Sequence, residues 1–189
     1  MSLIAQLPQF APERVAVGQA TVQFRRARSA LAGEAVTHVL LHGIGSASGS
    51  WLAQLQQTRA AQGLAAHVLA WDAPGYANST ALPMDTPVAA DYALRLWQWL
   101  DALGDQAAAP LTLVGHSLGA LMAAAAAGMA STRVTRLVLL APAQGYARAD
   151  AAERDKKLAD RLANLARLGP AGMAQQRAVL AHVGAFAQV

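Results

Sequence analysis

The clearest chemical signal in the chain is the pentapeptide Gly115-His116-Ser117-Leu118-Gly119. It fits the pattern Gly-x-Ser-x-Gly, in which the backbone turns sharply from a strand into a helix and lifts the serine hydroxyl clear of the sheet. Small residues two positions either side let the turn pass close to its neighbours. The chemistry this implies is attack by Ser117 Oγ on a carbonyl carbon, with the amino end of the following helix favouring the developing oxyanion. The backbone N–H of Leu118 is one expected oxyanion donor. The pentapeptide also occurs in unrelated loops, so its context decides. Here it follows a short apolar run, Leu111-Thr112-Leu113-Val114, and opens an alanine-rich stretch of helical character, which is the strand-to-helix setting the motif needs.

A second stretch, Leu40-Leu41-His42-Gly43-Ile44-Gly45, reads as an apolar strand running into a glycine-containing loop. Such a loop can bring backbone N–H groups to the serine turn. The N–H of Ile44 is the expected second oxyanion donor, with that of Gly43 the next choice. His42, fixed before glycine at a strand end, reads as a residue that orients the loop rather than one that transfers protons.

A serine hydroxyl is a weak nucleophile until a general base accepts its proton, and a carboxylate must hold that base in the right tautomer. Within the sequence the base is hard to find. The only histidine after Ser117 is His182, in a helical stretch with no strand ahead of it. Asp150 lies soon after the last strand-like run, but its surroundings read as the charged start of a helix.

The elements that must position these residues follow from hydrophobic periodicity. Residues 13–28 alternate loosely around Gly18, as a hairpin at a sheet edge would. Continuous apolar runs at 39–41, 66–71, 111–114 and 134–140 read as buried strands. Between them, 51–62, 86–103 and 120–130 read as helices. The clearest is 86–103, with Tyr92, Leu96, Trp99, Leu100 and Leu103 on one face and Gly104 to end it. Alternating strands and helices predict a mostly parallel sheet, whose carboxyl-end loops gather along one rim. The loops that follow 39–41, 66–71 and 111–114 share that rim. After Gln144 the character changes: residues 150–168 are charged with Leu158, Leu162, Leu165 and Leu168 on one stripe, Gly169-Pro170 ends that segment, and 171–183 reads as a further helix.

Composition narrows the class. The 189 residues are 54% hydrophobic and 14% charged, enough for one buried core and too few for two comfortable domains. A net charge of +4 without a long basic run argues against a nucleic-acid partner. Arg25, Arg26 and Arg28 read as a solvated edge. The absence of cysteine excludes disulfide scaffolds and thiolate catalysis. No run approaches the roughly 18 apolar residues of a membrane helix, and the start lacks a basic segment followed by an apolar core. The expectation is a cytoplasmic protein with no membrane partner, no metal and no organic cofactor.

His42-Gly43-Ile44-Gly45 after one strand, Trp71-Asp72-Ala73-Pro74-Gly75-Tyr76 after the next and Gly115 to Gly119 after the third together resemble the α/β-hydrolase superfamily, in order and approximate spacing. The resemblance covers residues 13 to about 145 and lies nearest the small esterases and lactonases that include 3-oxoadipate enol-lactonase. It implies an α/β fold with a hydrolase core over 1–145 and a helical cap region over 146–189. It also implies an ester or lactone as substrate, an acyl-enzyme on Ser117 and a structural role for Asp72 in its turn. In the second motif Ala77 stands where that subgroup carries a final glycine, which puts the loop's shape in question. The family places its acid and then its histidine after two further strands, and nothing in these 189 residues corresponds to them. The sequence therefore reads as cut off inside or just after the cap, inactive by itself, with an open sheet edge available for self-association. Three alternatives stand beside hydrolysis: a non-catalytic relic or binding module that keeps the fold, an acyltransferase, and a carbon–carbon bond hydrolase. Acyltransferases usually carry glutamate after the elbow, where Ala120 stands.

Overall fold

The computed structural model describes residues 8–143 and 150–186. They form two compact units that divide between Ala143 and Gln144. The first holds a six-stranded sheet in the order β1-β2-β4-β3-β5-β6. Its strands are β1 (Glu13–Val17), β2 (Ala20–Arg28), β3 (His38–Leu41), β4 (His67–Trp71), β5 (Leu111–His116) and β6 (Val134–Leu140). β1 and β2 are an antiparallel hairpin turned at Gly18, β2 runs antiparallel to β4, and β4, β3, β5 and β6 are mutually parallel.

Three helices cover the sheet: α1 (Leu52–Ala60), α2 (Ala89–Ala102) and α3 (Leu118–Met129). Strand alternation sends Val39, Leu41, Leu69, Trp71, Leu111 and Leu113 to one face, where they pack with Leu96, Trp99 and Leu100 of α2 and Met122, Ala123 and Ala126 of α3. Leu40, Val68 and Ala70 point to the other face, against Trp51, Leu52 and Leu55 at the start of α1. The alanines of α3 matter because a small side chain lets a helix lie close to both sheet and neighbour. α2 starts where the Asp91 carboxylate accepts the N–H of Val88 at 2.8 Å, satisfying a donor the helix itself cannot use. The chain leaves β3 toward β4 on one side and returns across it to β5 on the other. The crevice between the carboxyl ends of β3 and β5 is thus the switch point at which open α/β sheets bind ligands.

One strand departs from its expected burial. Residues 134–140 read as a buried run, yet Leu137, Leu139 and Leu140 are all more than a third exposed. Among the described strands β6 pairs with β5 alone, so only one of its edges is covered. An apolar run records that a strand expects cover on both faces and does not say which element supplies it.

The second unit contains α4 (Ala151–Phe186), broken at Gly169, whose φ of 63° and ψ of 175° end the first helical segment at the expected Gly-Pro step. Asp150 caps it, its Oδ1 accepting the N–H of Glu153 at 2.7 Å, as an N-cap carboxylate does. Leu158, Leu162 and Leu165 form an exposed stripe. Among the described residues no helix is long and apolar enough to cross a membrane.

Candidate active site

Ser117 sits at the junction of β5 and α3 with φ 54° and ψ −114°, a conformation that an L-residue holds only when its surroundings impose it. The two flanking glycines explain how. A Cβ on Gly115 would stand 2.6 Å from Ala120 Cα, and one on Gly119 would stand 2.6 Å from the carbonyl oxygen of His42. Neither position admits a side chain while β5, α3 and β3 stay where they are. The elbow is therefore pressed into the corner between its own helix and the end of the adjacent strand.

That corner is where the first glycine loop arrives. A Cβ on Gly43 would lie 3.2 Å from Ser117 Cβ and 3.1 Å from His116 Nδ1, so this loop touches the elbow directly. Ile44 is next along, exposed at the rim, and Gly45 turns the chain with φ 65°. Leu118 opens α3, in the first turn of the helix, where N–H groups have no intrahelical acceptor. The structure thus places Gly43 against Ser117, with Ile44 and Leu118 each the next residue along the chain. Among the described residues no side chain is hydrogen-bonded to Ser117 Oγ.

His42 is buried, and both its ring nitrogens are taken by backbone groups. The N–H of Ala73 donates to its Nε2 at 3.0 Å, so Nε2 is the acceptor and the ring proton resides on Nδ1, which donates to the carbonyl of Gly43 at 2.9 Å. Its ring meets Tyr76 edge-on at 4.9 Å. The histidine therefore straps the loop after β3 to the loop after β4. Burial holds its pKa below the usual imidazole value, opposed by the Gly43 carbonyl and by Asp72, so the neutral tautomer that this strap needs is the favoured one.

Asp72 is fully buried and wholly engaged in structure. Its Oδ1 accepts the N–H of Ser48 at 2.6 Å and its Oδ2 accepts from Gln23 Nε2 at 2.7 Å. Its carbonyl accepts the Ser79 hydroxyl at 2.6 Å, and that hydroxyl in turn accepts the N–H of Gln23 at 2.9 Å. Gln23, in the middle of β2, also accepts from Asn78 Nδ2 at 3.0 Å. Sequence reading missed Gln23 as a partner, because nothing in its local pattern tells a buried glutamine from a solvated one. Ala77, at the position where a glycine is expected, takes a left-handed φ of 48°, which carries a steric cost for an L-residue.

Asp150 is the exposed helix cap already described, and the side chain of His182 lies outside the described residues. Of the arginine cluster, Arg26 pairs with Glu13 at 3.0 Å and Arg28 with Glu34 at 2.7 Å, while Arg25 donates to the carbonyl of Phe10. Among the described residues no group of three or more His, Asp or Glu side chains gathers as a metal would require.

A parallel sheet with an antiparallel hairpin at one edge, a serine elbow after β5 and a glycine loop after β3 define a class, and the sequence agrees with it: the model of the alpha/beta hydrolase family matches residues 39–188. The chain belongs to that family. Among solved structures it is similar to a hydrolase from Pseudomonas aeruginosa, with 25% identity over 80% of this chain and 52% of that one and a TM-score of 0.63. A membrane phospholipase A that is a bacterial virulence factor gives 24% identity, covers 75% of this chain and 44% of that one, and has a TM-score of 0.62. An epoxide hydrolase from Vigna radiata gives 18%, 70%, 40% and 0.59 in the same order. The chain spans about half the length of these solved structures. Curated protein sequences give no match.

Proposed function

We propose that this chain carries the nucleophile and oxyanion-binding half of a serine hydrolase acting on small carboxylic esters or lactones. Ser117 Oγ attacks the carbonyl carbon and gives up its proton to a general base, and the negative charge on the carbonyl oxygen is held by the N–H of Leu118 and that of Ile44 or Gly43. The alkoxide leaves with a proton, and water then releases the acyl group from Ser117. The observation that carries this reading is the forced backbone of Ser117, at φ 54°, directly beside Gly43. A strained serine at a strand-to-helix turn has no structural purpose that glycine would not serve better, so the hydroxyl is what the strain retains. The base and the acid are assigned to no described residue.

A fluorophosphonate probe tests the reading. The full-length protein should be labelled, the Ser117→Ala variant should not, and simple aryl esters should be turned over only by the labelled form. A full-length protein that resists the probe while folded would overturn it.

A further inference from the structure

Strain at Ser117 has to be imposed by something besides the flanking glycines, because those only make room. β5 and β6 are in parallel register with His116 opposite Leu140, so the residues one step further, Ser117 and Ala141, occupy equivalent positions past the two strand ends. Both are non-glycine residues with positive φ, 54° and 42°. The two strands therefore end, side by side, in steps of positive φ. The second step is followed by Pro142, whose ring fixes its own φ, and the chain then doubles back toward the first. As a result both backbone groups of Ser117 are held by this segment: its N–H donates to the carbonyl of Leu140 at 3.0 Å, and its carbonyl accepts the N–H of Ala143 at 3.2 Å as well as that of Ala120 at 3.0 Å.

We infer that Leu140–Ala143 is a clasp that positions the nucleophile, with Ala143 as its positioning residue through the main-chain N–H and Ala141 as the bend that brings that N–H into reach. This rests on the reading of Ser117 as the nucleophile. The bond from Leu140 merely extends the β5–β6 ladder by one rung. The bond from Ala143 is different: no strand continues there, and it exists only because Ala141 accepts a conformation that a β-branched residue resists. The clasp grips the peptide planes on both sides of the Ser117 Cα, so it fixes the direction of the Cα–Cβ bond and with it the line of attack of Oγ.

Two measurements on the full-length protein test this, and only one depends on reactivity. In Ala143→Pro the donor is removed, whereas Ala143→Gly keeps it. The probe should bind both with similar affinity, but its maximal reaction rate should fall at least about tenfold in the proline variant and stay near wild type in the glycine variant. Ala141→Val should behave like the proline variant and Ala141→Gly like wild type. Independently of reactivity, amide hydrogen exchange at Ser117 should quicken at least about tenfold in Ala143→Pro, while Leu113, in the body of β5, keeps its protection. A proline variant that reacts at the wild-type maximal rate, or whose Ser117 amide stays as protected as in wild type, overturns the clasp. A folded wild type that the probe does not label overturns the nucleophile reading instead, and hydrogen exchange alone then decides the clasp.

Discussion

The N–H of Ala73 donates a 3.0 Å hydrogen bond to Nε2 of His42, joining the loop after β4 to the loop that lies against Ser117. Because that nitrogen must be unprotonated to accept, the strap has a built-in dependence on pH. Burial lowers the folded-state pKa of His42 below the ordinary imidazole value of about 6.5, and burial is also the main cause that lowers those of His38 and His67. The native state thus binds fewer protons than the unfolded chain just below that value. Stability from these groups is fully present above about pH 6.5 and is lost as pH falls from there through their depressed folded pKa values. Urea unfolding at about pH 7.5 and about pH 5.5 should give a lower midpoint at the acid pH, and His42→Gln should reduce the difference. Equal midpoints at the two pH values for the wild type would show that protonation of these rings costs the fold nothing.

Gly119 has no room for a methyl group: its Cβ would meet the backbone of Leu41 and His42, and neither a strand end nor a helix start can move alone. Gly119→Ala should therefore destabilise the protein by about 3 kcal/mol, the upper range for overpacking, measured by denaturant unfolding. Gly43→Ala is a subtler case, since its Cβ at 3.1 to 3.2 Å from His116 and Ser117 requires only a small displacement. That variant should stay folded and lose labelling by the serine probe. Wild-type labelling in a folded Gly43→Ala protein would mean that the loop does not take part in holding the elbow.

Ala77 occupies a left-handed conformation with φ 48° in the turn organised by Asp72 and Ser79. Glycine adopts that conformation without the steric cost of about 1–2 kcal/mol that an L-side chain carries, at an entropic cost below about 1 kcal/mol. Ala77→Gly should raise the melting temperature by about 2–4 °C per kcal/mol gained for a chain of this size. Calorimetry checks the sign, and a lower melting temperature would show that the turn is held another way.

The same polar knot predicts a loss. Removing the Asp72 carboxylate strands the N–H of Ser48 and Gln23 Nε2, both buried. Asp72→Ala should cost about 3 kcal/mol or more, the range for leaving buried partners of a charge uncompensated. Asp72→Asn keeps one acceptor and should cost less. An unfolding midpoint for Asp72→Ala equal to wild type would contradict the knot.

How much of this could be read from the sequence depends on whether the signal was local. Gly115, Ser117 and Gly119 announce the elbow because the turn demands their sizes at fixed spacing, and the face of α2 that buries Leu96, Trp99 and Leu100 announces itself by periodicity. The bend at Ala141 and the role of Gln23 were not legible. Alanine at positive φ leaves no mark in a sequence, and the partners of Gln23, Asp72 and Ser79, are about fifty residues away. The exposure of β6 was hidden for a related reason: Leu137 and Leu139 record what a strand should touch, and the sequence pattern does not show whether it is touched.

The sharpest consequence of the strained elbow concerns Ser117 itself. Its conformation at φ 54° and ψ −114° costs about 1–3 kcal/mol in an L-residue, and glycine removes most of that cost while forfeiting the hydroxyl. Ser117→Gly should therefore be more stable than wild type, by about 1 kcal/mol after glycine's own entropic cost, while Ser117→Ala, which keeps a Cβ, should show no such gain. Both variants should lose reaction with the serine probe. A gain in stability on removing a reactive group is the usual sign that a residue is retained for function against the interest of the fold. Thermal unfolding of the two variants side by side decides it: equal melting temperatures would mean that the backbone here is not strained and that the serine is not kept against the interest of the fold.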